Sequence, residues 1–268
     1  MFSCPICREE LKREGQSYRC ANRHCFDVAK EGYVNLLPVQ KKHAADPGDT
    51  KEMVASRRQF LESGFYEPFR RKACELVTCY TAAGDILLDT GCGEGYYTRA
   101  MAEGRETYGF DISRSAVRMA AKSDPATVYA VAGSYDIPFR DAGADMLTAI
   151  FSPIAAEEFK RVVKKGGHLM IAVPTERHLF GLKTLLYDEP YENAYLTTVY
   201  DGFREISRER VEGTIEIAEN ALIRALFAMT PYYWKSSKES AARATSANHL
   251  KTEIGFDFIV YERAGTQT

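Results

Sequence analysis

The run Ile86-Leu87-Leu88-Asp89-Thr90-Gly91-Cys92-Gly93-Glu94-Gly95 is the tightest constraint in the chain. A short apolar stretch with an acidic residue near its end, followed by three glycines at alternate positions, predicts a buried strand over 85–89 leaving into a tight turn. Glycines there let a ligand approach the backbone where a side chain would collide. A helix is predicted over 96–103, and the start of a helix offers unpaired N–H groups to an anion. A second strand over 106–110 ends at Asp111. In a doubly wound sheet that position brings a carboxylate to ribose hydroxyls.

The same alternation continues downstream. Ser113 is placed to cap a helix carrying Ala116, Val117 and Ala120. Strands are predicted over 127–132 and 145–151. A helix over 157–163 is read as closed by Lys164, Lys165, Gly166 and Gly167, and a fifth strand over 168–173 follows. Upstream, apolar spacing predicts helices over 51–62 and 68–80. After Pro174 the pattern weakens to a helix and loop over 175–200, a strand over 204–212, a helix over 216–229 and a final strand over 255–262. The repetition predicts an α/β fold whose mostly parallel sheet is covered on both faces.

Gly91, Gly93 and Gly95 do not match the Gly-x-Gly-x-x-Gly spacing of a dinucleotide site. Asp-Thr-Gly-Cys-Gly-Glu-Gly instead resembles the first motif of class I (Rossmann-like) methyltransferases. That resemblance implies S-adenosylmethionine as cofactor, with Asp89, Gly91, Gly93, Gly95 and Asp111 at its site. Asp89 is expected to orient the turn or to receive the ligand's ammonium. Ser134 and Tyr135 follow the third strand and are expected beside the adenine. Ile150-Phe151-Ser152-Pro153 stands where amino-methylating families carry Asn or Asp, then Pro-Pro and an aromatic residue. The departure disfavours an exocyclic amine as the methyl acceptor.

Four of the seven cysteines, Cys4, Cys7, Cys20 and Cys25, fall within the first 25 residues. Two ligand pairs on separate turns can converge on one tetrahedral zinc, and thiolate with imidazole favours zinc over hard cations. By spacing Cys4 and Cys7 form the clear pair, Cys20 joins them as the third ligand, and His24 and Cys25 compete for the fourth place. A segment this small needs such a staple to fold. The domains expected are a zinc-ribbon-like unit over 1–37, a linker and packing helices over 38–83, and a methyltransferase domain over 84–268.

The whole chain resembles the bacterial 23S rRNA (guanine-N1)-methyltransferases, a family that includes macrolide-resistance members. The resemblance is carried by Cys4-Pro-x-Cys7, by His24-Cys25-Phe26-Asp27-x-Ala29-Lys30-Glu31-Gly32-Tyr33-Val34-Asn35-Leu36-Leu37 and by Asp46-Pro47-Gly48-Asp49. It continues in Arg57-Arg58-x-Phe60-Leu61, the glycine turn with Tyr96-Tyr97-Thr98, and Met229-Thr230-Pro231 with Trp234. It implies methyl transfer to N1 of a guanine in an rRNA hairpin, a zinc held by Cys4, Cys7, Cys20 and His24, a homodimer, and a zinc module that helps to hold RNA. The competing readings are a small-molecule or quinone methyltransferase and a non-catalytic RNA-binding protein of the same fold.

The net charge of -2 announces no polyanion partner for the molecule as a whole. Residues 1–45 nevertheless carry eight Lys/Arg against five Asp/Glu. Arg8, Lys12, Arg13, Arg19 and Arg23 are therefore candidates for phosphate contact, and Tyr18, Phe26 and Tyr33 for stacking on bases. Arg57 and Arg58 are expected to face cofactor or RNA. Guanine N1 must lose a proton on methylation, and His178, beyond the fifth strand, is a candidate acceptor. No apolar stretch reaches the roughly 20 residues of a membrane span, and no basic, apolar leader opens the chain. A cytoplasmic protein is expected.

Overall fold

The computed structural model describes residues 1–38 and 47–265. Residues 39–46, part of the linker expected from residue 38 onward and including Asp46, lie outside those residues. The chain opens with three short strands, β1 (Lys12–Glu14), β2 (Ser17–Arg19) and β3 (Cys25–Asp27), paired antiparallel in that order. β4 (Val34–Asn35) leaves this small sheet and pairs parallel with β7 (Val128–Val131), at the edge of the main one. Two helices follow, α1 (Lys51–Glu62), capped by Thr50, and α2 (Glu67–Tyr80), with Pro68 in its first turn.

The main sheet is built by β5 (Ile86–Thr90), α3 (Thr98–Met101), β6 (Glu106–Asp111), α4 (Arg114–Ser123), the strand β7, β8 (Ala144–Ile150), α5 (Ala156–Val162) and β9 (Val163–Pro174). The chain continues through α6 (Phe180–Leu186), β10 (Phe203–Ile217), α7 (Asn220–Ala228), α8 (Tyr232–Lys235), α9 (Lys238–Ser246) and β11 (Leu250–Arg263). Among the described residues the sheet has eight strands, ordered β10-β11-β9-β8-β5-β6-β7-β4. β10 and β11 are antiparallel to their neighbours, and the pairs from β9 to β4 are parallel. The order runs from β5 outward through β6 and β7, then reverses to β8 and β9. That reversal makes a crevice at the carboxyl ends of β5 and β8, where ligands of open α/β sheets bind.

Alternate residues of the central strands enter opposite cores. Leu87, Met146, Met170 and Ala172 join the side covered by α2, α6, α7 and α9. Leu88, Leu147, Leu169 and Ile171 join the side covered by α5 and by Phe2, Leu11, Tyr18 and Val34 of the N-terminal segment. Ser113 caps α4 as expected, its hydroxyl accepting the Ala116 N–H.

Two expected boundaries are corrected. The helix predicted over 157–163 ends at Val162, and Val163 to Gly167 already belong to β9, with Val163 opposite Ala144. The helix predicted over 216–229 begins only at Asn220, because Glu216 and Ile217 pair with Lys251 and Leu250. Among the described residues no helix is long and apolar enough to cross a membrane.

Candidate functional site

A cavity of about 230 Å³ lies at the crevice. Its wall takes Gly91 to Glu94, Tyr96 and Tyr97 from the turn after β5, and Asp111 and Ile112 from the end of β6. Phe151 and Ser152 come from the end of β8, and Asp49, Arg57, Tyr66 and Met229 from outside the sheet. The glycines divide the labour. Gly91 has a φ of +68°, and a Cβ there would stand 2.3 Å from the Ser152 Cβ, so neither position tolerates bulk. Gly93, at φ +54°, faces open space apart from Arg57. Gly95, at φ +83°, lies against Ala120 and the Tyr129 hydroxyl, so it serves the packing of α4 and not the cavity.

The carboxylates also separate. Asp111 lines the cavity and holds the loops together, its two oxygens accepting the Gly93 N–H at 3.0 Å and the Ser113 N–H at 2.7 Å. Burial raises its pKa, which those amides partly oppose. Asp89 stays behind the wall, its oxygens accepting the Thr98 and Thr148 hydroxyls, each at 2.6 Å. Burial pushes its carboxyl up to about 6. It ties the start of α3 to β8, and it is not among the residues lining the cavity. Glu94 is the neighbouring acid that does line it. It is 1% exposed, and burial raises its pKa. Its Oε2 meets Arg99 at 3.5 Å, while its Oε1 has no hydrogen-bond partner among the described residues.

The Tyr97 hydroxyl and the Ser152 Oγ on the same wall are also buried without partners among the described residues. Such groups are costly unless a ligand satisfies them, and three of them surround one cavity. Within the glycine turn four amides are already used. Gly91 and Cys92 donate to Phe110, Gly93 donates to Asp111, and Gly95 donates to Cys92. The cationic group on the wall is Arg57, which meets Asp49 at 2.6 Å.

Other candidates fall elsewhere. Ser134 Oγ meets Thr90 Oγ1 at 2.9 Å, Tyr135 is 73% exposed, and neither lines the cavity. Arg58 meets Glu62 and Ser123. His178 is buried behind Tyr66, and its pKa is pushed down to about 3 by burial. The Gly255 N–H donates to its Nδ1 at 3.2 Å, so the neutral ring carries its proton on Nε2, which faces the Tyr66 hydroxyl at 3.4 Å. With both nitrogens engaged, His178 does not suit the proton-accepting role expected of it.

The cysteines converge. Cys4 and Cys7 lie on the turn after the first residues, Cys20 and His24 on the turn between β2 and β3. Each turn carries an arginine in left-handed backbone, Arg8 and Arg23, both at φ +65°. The ligand atoms of the four residues lie within 4.8 Å of one another. Zn–S near 2.3 Å and Zn–N near 2.0 Å give tetrahedral edges of roughly 3.8 Å between sulfurs and roughly 3.5 Å from sulfur to nitrogen. The Cys7 and Cys20 sulfurs are 3.7 Å apart, and His24 Nδ1 is 3.5 Å from Cys4 Sγ and 3.4 Å from Cys20 Sγ. The geometry fits zinc and brings His24 to the three sulfurs, while Cys25 is exposed on β3.

Around the metal site the expected stackers are mostly core residues. Tyr18 packs on Phe2, and Tyr33 is buried beside α4, leaving Phe26 half-exposed. Arg8 is paired with Asp136 and donates to the Ile137 carbonyl, so it joins the zinc segment to the core. Arg13 and Arg19 stay largely exposed, with weak local contacts to the Gly15 carbonyl and Glu14, and Arg23 is exposed.

Known proteins share both halves. The family model described as RlmA, N-terminal, a zinc ribbon, matches residues 2–45, and the model described as Methyltransferase domain matches residues 88–171. The 23S rRNA (guanine(748)-N(1))-methyltransferase of Streptomyces fradiae is 34% identical over 250 residues, covering 90% of this chain and 88% of that protein. YxjB of Bacillus subtilis (strain 168), provisionally named for a 23S rRNA (guanine-N(1)-)-methyltransferase, is 28% identical, covering 97% of this chain and 96% of its own. A Bacillus halodurans C-125 structure, provisionally called a methyltransferase, superposes with a TM-score of 0.51 at 14% identity. It covers 73% of this chain and 99% of that one, a likeness of fold alone.

Proposed function

The chain belongs to the 23S rRNA (guanine-N1)-methyltransferase family, and on that premise we propose that it moves a methyl group from S-adenosylmethionine to N1 of a guanine in a 23S rRNA hairpin. The observation that carries the reading is the crevice cavity, where the glycine turn and Asp111 meet three buried polar groups lacking partners among the described residues. S-adenosylmethionine supplies a methyl already activated on a sulfonium sulfur. The residues have to hold the cofactor and align the acceptor. Asp111 offers its remaining lone pairs to the ribose hydroxyls. Glu94 receives the ammonium and Arg57 the carboxylate of the amino-acid end, so that anion and cation stand opposite their complements. A carboxylate-rich wall also favours the cationic cofactor over its neutral demethylated product.

As the nitrogen–carbon bond forms and the sulfur–carbon bond breaks, leaving the cofactor a neutral thioether, the N1 proton passes to solvent water. The zinc supplies folding energy and no chemistry, since four protein ligands close its coordination. Arg13, Arg19 and Arg23 are the RNA contacts we assign to the zinc segment, in a cytoplasmic homodimer as the family implies. Incubation with labelled S-adenosylmethionine and unmodified bacterial rRNA, followed by mapping of the modified nucleotide, tests the reading. Label at N1 of one guanine supports it. Label on a small molecule instead, or none with intact cofactor binding, overturns it.

A further inference from the structure

Phe151 is placed as no ordinary core residue would be. It follows β8 directly, at the carboxyl end of the strand beside β5, and its ring lines the cofactor cavity while remaining 42% exposed. Its backbone is left-handed, φ +56°. A bulky side chain is disfavoured in that conformation and persists only when its surroundings impose it. Two inner rings fix its direction. Phe256 lies 4.3 Å away at 45°, and Tyr97 lies 6.0 Å away, edge-on. One side of Phe151 is thus braced by a buried aromatic cluster that includes Tyr66, Phe69 and His178. The exposed remainder borders the cavity. The next residue, Ser152, keeps a buried hydroxyl without a partner among the described residues, so the β8 end presents an apolar surface beside a hydrogen-bonding group. That pairing suits a flat, polar-edged ring such as a nucleobase.

We infer that Phe151 is the platform on which the acceptor guanine stacks, holding the base in line with the cofactor. The inference rests on the proposed rRNA substrate. Stacking of a base on an aromatic ring is lost when the ring is lost, and the loss amounts to roughly 10- to 100-fold in binding of the reacting base. A residue kept only to fill space would be replaced adequately by leucine, which retains apolar bulk, the same γ-branching and the same backbone demand.

The test compares Phe151→Leu, Phe151→Tyr and the parent, measuring KM and kcat for methylation of an rRNA hairpin, S-adenosylmethionine affinity by calorimetry, and Tm. Phe151→Leu is expected to lower kcat/KM on the order of 10- to 100-fold with cofactor affinity unchanged, and Phe151→Tyr to restore it to within a few-fold of the parent. Leucine as active as phenylalanine overturns the inference. So does a fall in cofactor affinity that matches the fall in methylation, because the ring would then serve the cofactor. A tyrosine variant as impaired as the leucine one, at parental Tm, overturns it too. Should the parent itself fail to methylate rRNA, it is the proposed function that falls, and the comparison of variants is never reached.

Discussion

Asp89→Asn should make the folded protein more stable at neutral pH. The carboxyl is 2% exposed, and burial lifts it from 3.8 to about 6 in spite of the two threonine hydroxyls. At about 1.4 kcal/mol per pH unit this amounts to ~3 kcal/mol set against folding once the group is ionised. The sign follows from proton binding. Folded Asp89 keeps its proton up to about pH 6, while the unfolded chain releases it near 3.8. Stability therefore falls as pH rises through that window, and the full penalty stands at pH 7 and above. Asparagine keeps the shape, accepts one threonine hydroxyl and donates to the other, and has no charge to bury. The variant should gain up to ~3 kcal/mol at pH 7.5, roughly 6 °C in Tm, and almost nothing at pH 3.5. Urea denaturation of both proteins at the two pH values, without cofactor, measures the difference. A variant less stable than the parent at pH 7.5, or a gain that does not change with pH, would refute the reasoning.

Three further expectations follow from the same geometry. S-adenosylmethionine affinity should weaken as pH falls, because burial raises the pKa of both Glu94 and Asp111 and the protonated forms no longer attract a cation; calorimetry across pH 5–8 that finds constant affinity contradicts this. One equivalent of zinc should survive Cys25→Ser and be lost from His24→Ala, as elemental analysis will read directly. Phe2→Ala should cost ~3–5 kcal/mol in the unfolding of the whole molecule, followed by the fluorescence of Trp234; a transition of the core that ignores the change would separate the two parts.

Elements whose pattern is local were legible in the sequence. The run from Ile86 to Gly95 announces a strand, a turn and a ligand site because apolar burial and positive φ leave marks within ten residues. Ser113 is read as a cap for the same reason. Glu216 and Ile217 were not readable as strand, since their apolar spacing merges with the helix of Leu222 and Leu226, and the partners that decide, Lys251 and Leu250, lie over 30 residues away. At the site, Asp89 and Glu94 look interchangeable in sequence, one beginning the motif and the other inside it. What separates them is Thr148, a strand away, which claims Asp89 and leaves Glu94 as the buried acid facing the cavity. Phe151 carries only an oblique mark, in that Phe-Ser-Pro departs from the motif of amine-methylating families.

The zinc segment is least well described by its place in the sequence, because it does not stand apart from the core. Phe2 is 1% exposed, and its ring packs edge-on against Tyr108 and Phe139 of the main domain. Leu36 donates its N–H to the Val131 carbonyl, continuing the pairing of β4 with β7. Arg8 and Arg118 add ion pairs, to Asp136 and Glu31. Without residues 1–37, β7 would become a bare edge and two aromatic rings would meet water, which is the composition of an aggregating surface. Loss of zinc therefore reaches β7 through the covalent path from Cys20 and His24 to Val34. β7 neighbours β6, whose last residue is Asp111. The metal-ligand turns belong to the separate three-stranded sheet, which reaches the main one through β4, two strands from Asp111. The physical link from those turns to Asp111 is therefore the chain leading into β4 and the pairing of β4, β7 and β6.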